Sequence, residues 1–256
     1  MENIYWFSGL NSQDKEKYLY YIQMYSVAVI TALKTTPNIK PYLILDGEID
    51  EHIQKLVDMG LTVVKHRSLF YDDLVKHYNT DTIALGAYLR IDIPKICEKV
   101  GVENDYVLYT DNDVMFMNDI SDLLNKRPKY FLIAGEFSKV FDPLWVNTGV
   151  MWINWKNMRD KYDEFVEFIK NNFSKFATYD QDAIKQFYGG SCEELDWNYN
   201  YKPYWGKSDT LKILHFHGPK PAHVDQYETY PYKNLYTPFY FEMVKYFYDI
   251  CNKYNL

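Results

Sequence analysis

Two carboxylates, Asp111 and Asp113, stand one residue apart between two apolar runs of the chain. The run that precedes them, Tyr106 to Tyr109, is rich in β-forming residues and predicts a buried strand. Because an unpaired acid is costly to bury, we expect the pair to hold a divalent cation, and carboxylate oxygens suit Mg²⁺ or Mn²⁺. The alternative is a strand and turn with two solvated aspartates, since bare Asp-x-Asp triplets are frequent.

A second cluster of polar side chains follows another apolar run, within residues 213–221. It contains His215, His217, Gly218 and Lys220. Neutral imidazole is a good ligand for Mn²⁺, and a lysine ammonium is a partner for phosphate. A lone histidine after a strand is usually structural, but the clustering of these four residues favours a functional site.

Three shorter motifs also place polar side chains beside apolar segments. Arg90 lies in a helical pattern, Asn147 opens an apolar run as part of Asn-Thr-Gly, and Asp180 and Gln181 precede a second helical pattern. Each motif has an ordinary structural interpretation: a surface ion pair for Arg90, a turn for Asn147 and a helix N-cap for Asp180. Taken singly, none of them decides between structure and function.

Composition and charge exclude several classes of protein. The net charge of −7 argues against a nucleic-acid partner, which requires a basic face. The three cysteines are far apart and odd in number, so they fit neither a disulfide framework nor a zinc site. We interpret them as free thiols in a reducing compartment, and expect a cytoplasmic protein. The chain has no signal-peptide pattern and no apolar run of transmembrane length; peripheral contact with a membrane stays open.

The first quarter of the chain alternates strands and helices. Apolar runs predict strands at 4–7, 41–45 and 61–64, and helical spacing predicts helices over 14–34 and 49–59. This rhythm predicts a parallel sheet with right-handed crossover connections.

The rest of the chain continues the α/β pattern with less regular spacing. The segment 197–236, rich in aromatic residues, is expected to be irregular and to carry function. The remaining predicted elements are helices over 81–98 (with a break at Pro94), 156–171, 180–188 and 237–252, a turn or helix at 118–124, and extended segments at 106–110, 130–134, 149–153, 193–195 and 211–215.

In their order along the chain, these motifs resemble glycosyltransferase family 8, the nucleotide-sugar transferases that include glycogenin and bacterial lipopolysaccharide galactosyltransferases. The similarity runs from the first strand to the His-x-His-Gly-Pro-Lys-Pro segment. The matching segments are Tyr88 to Pro94, Tyr109 to Phe116, Asn147 to Val150, Asp180 to Asp182, Trp197-Asn198 and residues 215–221. The order of these weak motifs along the chain is far more specific than any single one. The resemblance also implies that the segment 197–236 supplies the contacts to the acceptor.

The resemblance implies an α/β chain with the GT-A fold, in which a Rossmann-like, mixed but mostly parallel sheet is flanked by helices. It implies one domain over residues 1–256, with a nucleotide-binding part at about 1–117 and an acceptor-side part at about 118–256. The implied activity is metal-dependent transfer of a hexose from a nucleotide-sugar, UDP-glucose or UDP-galactose, to a glycan or other hydroxyl acceptor with retention.

The resemblance also implies roles for individual residues. Asp111, Asp113 and His215 would hold Mn²⁺ or Mg²⁺ against the donor diphosphate. The segment with the two aspartates and the segment with His215 each follow an apolar strand. In a parallel sheet the ends of such strands open onto one crevice, so the three side chains are expected to meet there. The other residues expected to contact the donor are Lys220 and Gly218 at the diphosphate, Arg90, Glu136, Asn147, Asp180 and Gln181 around the sugar, and Ser8 with its neighbours and Asn112 near the nucleotide. Gln181 and Asp180 are the residues expected beside the reacting carbon.

Two departures from the family pattern concern the ends of the site. The first strand ends in Phe7-Ser8-Gly9, where the family has Ala-Ala-Asp with a carboxylate near the base and ribose. In the last motif a single residue, Pro219, separates Gly218 from Lys220, and Ala222 replaces a tryptophan. These departures affect the base contact and the lysine contact more than the metal ligands.

Two rival functions are weighed against the transferase. A GT-A protein that binds a nucleotide-sugar or glycan without turnover would carry the same fold, but the complete metal-binding set argues against it. The triplet at Asp111 also resembles the nucleophile loop of haloacid-dehalogenase-type phosphatases. That family places the loop on its first strand, whereas three strands are predicted before it here.

Overall fold

The central element of the structure is a seven-stranded sheet. The computed structural model describes residues 2–78 and 82–256. Within them the strands are β1 (Ile4–Asn11), β2 (Ile39–Asp46), β3 (Thr62–Lys65), β4 (Tyr106–Thr110), β5 (Val114–Phe116), β6 (Phe131–Gly135), β7 (Val146–Asn154), β8 (Glu193–Glu194) and β9 (Ile213–His215).

The sheet is mixed and mostly parallel, with the order β3-β2-β1-β4-β7-β6-β8. The first four of these strands run parallel to one another, β7 runs antiparallel to both of its neighbours, and β8 runs parallel to β6. The helical connections of the first quarter produce the parallel half, as the alternation of strands and helices predicts. Every residue of β7 is buried, as expected for a central strand covered on both faces.

Helices cover the two faces of this sheet. Within the described residues they are α1 (Lys15–Thr35), α2 (Glu51–Asp58), α3 (Tyr71–Tyr78), α4 (Thr82–Ala87), α5 (Ile93–Val100), α6 (Trp155–Asp160), α7 (Tyr162–Asn172), α8 (Tyr179–Tyr188) and α9 (Pro238–Tyr254). In the described part of the chain, none of them combines the length and apolar content needed to cross a bilayer.

The predicted elements of the first quarter are confirmed, with one extension that matters for the site. Helix α1 begins after Asp14, whose carboxylate accepts hydrogen bonds from two backbone N–H groups of the first turn. Strand β1 continues past Gly9 to Asn11, because its parallel pairing with β2 extends to the partners Asn11 and Asp46. The polar residues after Phe7 therefore belong to the strand and not to a loop.

The helix predicted over 81–98 is interrupted earlier than at Pro94. Asp81 lies outside the described residues; α4 ends at Ala87, a 3₁₀ segment spans Tyr88–Asp92, and α5 begins at Ile93. Pro94 lies in the first turn of α5, where its missing N–H has no partner to lose, so it starts a helix instead of breaking one. Helix α3 was not predicted, and the helix predicted over 156–171 is divided at Lys161 into α6 and α7.

A separate two-stranded ribbon joins the middle of the chain to its last third. Strand β5 pairs antiparallel with β9, and the register sets Val114 opposite His215. The aspartates were expected to meet the histidine at the shared ends of parallel strands. Instead, Asp111 and Asp113 lie in the link from β4 to β5, and the antiparallel ribbon brings His215 directly opposite the residue after Asp113.

The position of the Asp pair also bears on the phosphatase alternative. Three strands, β1 to β3, precede β4 in the chain, and β4 lies in the middle of the sheet beside β1. A nucleophile loop that follows the first strand is not compatible with this order, so the phosphatase interpretation is excluded by the topology.

Candidate active site

A cleft of about 430 Å³ opens where β1 and β4 end, beside the ribbon of β5 and β9. This is the edge at which ligands bind in open α/β sheets. With the exception of Ser8, all of the residues expected to contact metal or donor line this one cleft: Arg90, Asp111, Asn112, Asp113, Glu136, Asn147, Asp180, Gln181, His215, Gly218 and Lys220.

Ser8 occupies a different position from the predicted one. Its side chain is fully buried, and the hydroxyl donates to the carbonyl of Thr110 at 2.8 Å, across the pair of strands β1 and β4. The hydroxyl therefore holds two strands together and does not face the cleft. Its neighbours Gly9 and Asn11 do line the cleft, because β1 continues beyond Ser8.

The two aspartates divide their oxygens between cationic side chains and the histidine. Asp111 Oδ1 accepts from Arg90 at 2.7 Å, whereas Asp111 Oδ2 lies 3.9 Å from His215 Nε2. Asp113 Oδ2 pairs with Lys220, whereas Asp113 Oδ1 lies 3.3 Å from His215 Nε2. One oxygen of each carboxylate and one imidazole nitrogen thus face a common point.

The environment keeps Asp113 ionised. Burial alone would raise the pKa of this carboxyl, but the positive charge of Lys220 and the contact with His215 hold the pKa of Asp113 well below its ordinary value. A buried carboxylate that stays charged at neutral pH is what a cation ligand requires.

The tautomer of His215 follows from its second partner. Nδ1 lies 2.9 Å from Asn200 Oδ1, and Lys202 Nζ also donates to this oxygen at 2.5 Å. The backbone N–H of Gly149 donates to Asn147 Oδ1, so Asn200 turns its amide nitrogen towards that oxygen and its carbonyl oxygen towards His215. His215 must therefore carry its hydrogen on Nδ1. Nε2 is then left with the lone pair that faces the two aspartates. Burial lowers the pKa of His215, which favours the same neutral form.

Gly149, in β7, makes room for this imidazole. A Cβ atom at position 149 would lie 2.3 Å from His215 Cε1 and 2.8 Å from its Nδ1. No side chain larger than hydrogen fits there while the ring keeps its place. The glycine of the Asn-Thr-Gly motif is therefore explained by the histidine that packs on it.

These three residues fit a bound dication. The ligand atoms of Asp111, Asp113 and His215 all lie within 4.8 Å of one another. Two carboxylate oxygens and a neutral imidazole whose other nitrogen is fixed by a hydrogen bond form a ligand set that suits Mn²⁺ and also accepts Mg²⁺.

Arg90 forms the wall between the metal ligands and the opposite side of the cleft. Its side chain is 5% exposed, so the surface ion pair considered from the sequence is excluded. The guanidinium donates to Asp111 and, at 2.6 Å, to the carbonyl of Thr148, and it stacks over the ring of Tyr109 at 4.5 Å. The arginine thus connects the 3₁₀ segment Tyr88–Asp92 to β4 and β7 at the cleft wall.

Asp180 faces Arg90 from helix α8 and is not the N-cap of that helix, which is Thr178. Asp180 Oδ2 lies 3.0 Å from Arg90 Nε, but the Nε hydrogen is donated to the carbonyl of Ala87. Within the described residues this oxygen is buried without a hydrogen-bond partner, and so is Asn112 Oδ1. Burial raises the pKa of Asp180 to about 6, although Arg90 opposes the shift. Both oxygens are closed to solvent, and the Asp180 oxygen keeps its ion pair with Arg90.

Gln181 is held by hydrogen bonds on both ends of its amide. Its oxygen accepts from the backbone N–H of Thr148 at 3.2 Å and from Asn147 Nδ2 at 3.4 Å, and its nitrogen donates to Glu136 Oε1 at 3.2 Å. The orientation of the amide is thereby fixed. Asn147 is more than a turn residue, because its oxygen also accepts from Asn200 Nδ2 at 2.9 Å.

Sequence reasoning missed Asn200 and Lys202, two buried residues whose hydrogen bonds hold the side chains of the site in place. Lys202 is fully buried, and its side-chain nitrogen donates to the backbone and side-chain oxygens of Asn200. Burial lowers the pKa of Lys202 far below its ordinary value. Neither Asn200 nor Lys202 belongs to a recognisable local pattern. A lysine among aromatic residues could have drawn attention only once its neighbours in space were known.

We expect His215 and not His217 to set the metal requirement. His217 also lines the cleft, but its Nε2 lies 3.8 Å from Glu136 and its Nδ1 lies 3.0 Å from Tyr204 Oη, so both nitrogens face away from the aspartates. His215→Ala should raise the Mn²⁺ concentration for half-maximal activity by about 10- to 100-fold, with a smaller change for Mg²⁺. Metal titrations of His215→Ala and His217→Ala side by side are the measurement. A raised requirement in His217→Ala alone would show that the wrong histidine was chosen.

Comparison with known proteins identifies the fold. No protein-family model and no curated protein sequence matches the chain. Solved glycosyltransferase structures do: LgtC, a galactosyltransferase in complex with donor and acceptor sugar analogues, superposes with a TM-score of 0.69 at 16% identity, over 98% of this chain and 95% of LgtC.

Two further structures agree. The apo form of GlyE from Streptococcus pneumoniae TIGR4 superposes with a TM-score of 0.65 at 16% identity over 97% of this chain, which spans 64% of the length of GlyE. The apo form of mouse xyloside xylosyltransferase 1 gives a TM-score of 0.55 at 16% identity, over 84% of this chain and 97% of that enzyme. The chain therefore has the GT-A fold of glycosyltransferases.

Proposed function

We propose that the protein is a metal-dependent glycosyltransferase that moves a hexose from UDP-glucose or UDP-galactose to a hydroxyl group of a glycan acceptor, with retention of configuration. The observation that carries the proposal is the convergence of Asp111 Oδ2, Asp113 Oδ1 and His215 Nε2 on one point of the cleft. On a GT-A fold, this cluster suits a dication bound beside the diphosphate of a sugar donor.

The diphosphate side of the cleft is formed by the metal ligands, Lys220 and Gly218. A Mn²⁺ or Mg²⁺ ion held by Asp111, Asp113 and His215 would stabilise the negative charge that the leaving diphosphate gains. Lys220 provides a second positive charge at the same side, since its ammonium lies against Asp113 and donates to the carbonyl of Phe216 at 2.7 Å.

The sugar side of the cleft is formed by Arg90, Glu136, Asn147, Asp180 and Gln181. Asp180 lines this side of the cleft, where its carboxylate can accept a hydrogen bond from a hydroxyl group of the hexose. Asn112, with its own unpartnered oxygen, lies in the link that follows β4 and is assigned to the nucleotide side together with Asn11.

Retention is best explained by attack of the acceptor on the same face from which the diphosphate leaves. The amide of Gln181 is a weak nucleophile, and its oxygen already accepts two hydrogen bonds. The acceptor oxygen forms its bond to the anomeric carbon while the bond from that carbon to the phosphate oxygen breaks. The acceptor proton passes to the departing phosphate oxygen, so no strong base is needed.

In the proposed arrangement, the nucleotide binds to the part of the domain formed by about residues 1–117, and the acceptor binds to the part formed by about residues 118–256. The cleft lies between these two parts, which supports the arrangement. Its lining comes from Gly9, Leu10 and Asn11 in the first part and from Glu136, Asn147 and the 178–181 segment in the second. The cytoplasm stays the proposed location.

We expect UDP to stabilise the protein more than GDP or CMP when Mn²⁺ is present. Thermal-shift titrations with the three nucleotides measure this preference, since a ligand bound to the native state raises Tm. Release of UDP from UDP-glucose or UDP-galactose without acceptor then tests turnover. A non-catalytic binding protein would show the shift and release no UDP, and a larger shift with GDP would overturn the assignment of the donor.

Substitutions on the sugar side should lower kcat more than they weaken nucleotide binding. Gln181→Ala and Asp180→Asn remove groups that lie away from the metal ligands, so we expect kcat to fall by about 10²- to 10³-fold with little change in UDP affinity. Steady-state kinetics and UDP titration of both variants provide the check. Loss of UDP affinity with turnover intact would place these residues on the wrong side of the cleft.

A further inference from the structure

The loop between β6 and β7 carries a group of large apolar side chains that point away from the core. We call residues 136–145 the rim loop. Phe137 and Trp145 are each 60% exposed, Leu144 is 70% exposed and Val140 is 76% exposed. Single exposed apolar residues are ordinary, but four within ten residues mark an interaction surface.

The rim loop is fastened to the protein, so this exposure is a fixed property of its shape. Lys139 places its ammonium 4.3 Å from the ring centre of Trp197, and Trp205 Nε1 donates to the carbonyl of Phe137 at 3.2 Å. A Cβ atom on Gly135 would lie 2.7 Å from the carbonyl oxygen of Ser138, so the loop folds tightly back on its own first residues. The aromatic residues near 200, which were expected to contact the acceptor, serve here to hold the loop.

The two exposed aromatic residues of the rim loop, Phe137 and Trp145, adjoin the sugar side of the cleft. The backbone N–H of Glu136, a cleft residue, donates to the carbonyl of Trp145 at 2.8 Å. Phe137 follows Glu136 directly, and its ring centre lies 5.5 Å from that of His217, which also lines the cleft. The two exposed aromatic residues therefore lie directly outside the part of the cleft wall that contains Glu136.

The chemistry of this surface fits a sugar ring better than a membrane. Aromatic faces pack against the C–H face of a pyranose while leaving its hydroxyl groups in water, as amphipathic contacts require. Attraction to an anionic bilayer needs clustered basic residues. The chain instead has a net charge of −7, the rim loop contains Asp142, and its one lysine is engaged by Trp197.

We infer that Phe137 and Trp145 form a stacking subsite for a pyranose ring of the acceptor, which is therefore a sugar chain. The inference rests on the proposed transferase function, because only a transferase has an acceptor for this subsite to bind. A sugar ring stacked there would be next to Glu136, which donates no hydrogen but accepts one from Gln181. The adjoining ring of the same chain would then present its hydroxyl group to the donor side of the cleft.

The test is direct binding of soluble disaccharides, observed by saturation-transfer NMR. Lactose, maltose and cellobiose are the probes, with UDP and Mn²⁺ present. We expect saturation of the ring C–H protons of at least one disaccharide in the wild-type protein. Trp145→Ala and Phe137→Ala should each weaken that binding by about tenfold. Tyr254→Ala is the matched control, since Tyr254 is an aromatic residue, 40% exposed, that lies outside the cleft, the rim loop and the 197–236 segment.

Three outcomes would overturn the subsite. They are no saturation transfer from the protein to any of the disaccharides, equal saturation transfer from the wild type and from Trp145→Ala, or co-sedimentation with phosphatidylcholine vesicles that Trp145→Ala abolishes. The last would assign the rim loop to a bilayer. UDP release without acceptor is measured on the same variants and should be unchanged, because neither Phe137 nor Trp145 lines the cleft. If wild-type protein binds the disaccharide but releases no UDP, the transferase proposal fails while the subsite stands.

Discussion

Asp113→Asn should reduce kcat by about a thousandfold, or about 4 kcal/mol of transition-state stabilisation. Asp113 is the only residue of the proposed ligand set that contacts both His215 and Lys220, among the residues that the structure describes. The amide keeps the size of the side chain but removes the negative charge that holds a dication where the diphosphate leaves. Lys220 would also lose its buried counter-charge. Turnover of UDP-glucose and UDP-galactose at saturating Mn²⁺ is the measurement.

The matched control for this loss is Asp105→Asn. Asp105 stands just before β4, on the same stretch of chain, and its side chain is 54% exposed in an ion pair with Lys156. Exposed ion pairs contribute little to stability, so this variant should keep wild-type kinetics. Circular dichroism and thermal unfolding would show whether Asp113→Asn remains folded. A folded Asp113→Asn protein with more than about a tenth of wild-type kcat would rule out Asp113 as an essential ligand.

Gly149→Ala should disable the metal site without touching a ligand. The added Cβ would meet the His215 ring at 2.3 Å, so the imidazole must leave the position in which its Nε2 faces the aspartates. We expect Mn²⁺ affinity to fall by about 10- to 100-fold and the free energy of unfolding to fall by about 1–3 kcal/mol, as for other overpacked sites. Isothermal titration with Mn²⁺ and denaturant unfolding measure the two effects separately.

Gly190→Ala is the control for Gly149→Ala, because its Cβ would have no heavy atom of the described residues within 4 Å, its chain neighbours aside. A double variant tests the cause. When His215→Ala has already removed the ring, adding Gly149→Ala should lower stability less than it does in the wild type, which a double-mutant cycle reports as coupling. Strictly additive effects, or a Gly149→Ala protein that binds Mn²⁺ with wild-type affinity, would show that the contact is not what positions the histidine.

The sequence predicts the cleft well where a polar residue interrupts an apolar run. Asp111, Asp113, Asn147 and His215 all stand at the ends of strands, and the structure brings them to one edge, because strand ends are where a sheet exposes side chains to a ligand. Their meeting was expected from a parallel sheet. The antiparallel pairing of β5 with β9 could not be read from a strand of only three residues.

The features that were missed depend on contacts between segments that are distant in sequence. Ser8 was placed at the nucleotide because β1 was predicted to end before it, and only the full pairing with β2 shows that the strand continues. Lys202 is a surface residue by type, and its burial follows from acceptors supplied by Asn200 and Asn147. The rim loop was passed over because an exposed apolar side chain has no signature that separates it from a buried one in the sequence.

The ribbon of β5 and β9 also has a bearing on biosynthesis and folding. The two acids and the histidine are separated by about two fifths of the chain, so the metal-binding residues come together through a contact between segments that are far apart in sequence. During synthesis, β5 can pair with β9 only after the ribosome has released the part of the last third of the chain that contains β9. A fragment that contains β1 to β5, with the whole parallel half of the sheet, would have both carboxylates and no imidazole. Tight Mn²⁺ binding would therefore mark the completion of folding, and newly made chains would hold the dication only once the C-terminal third has docked.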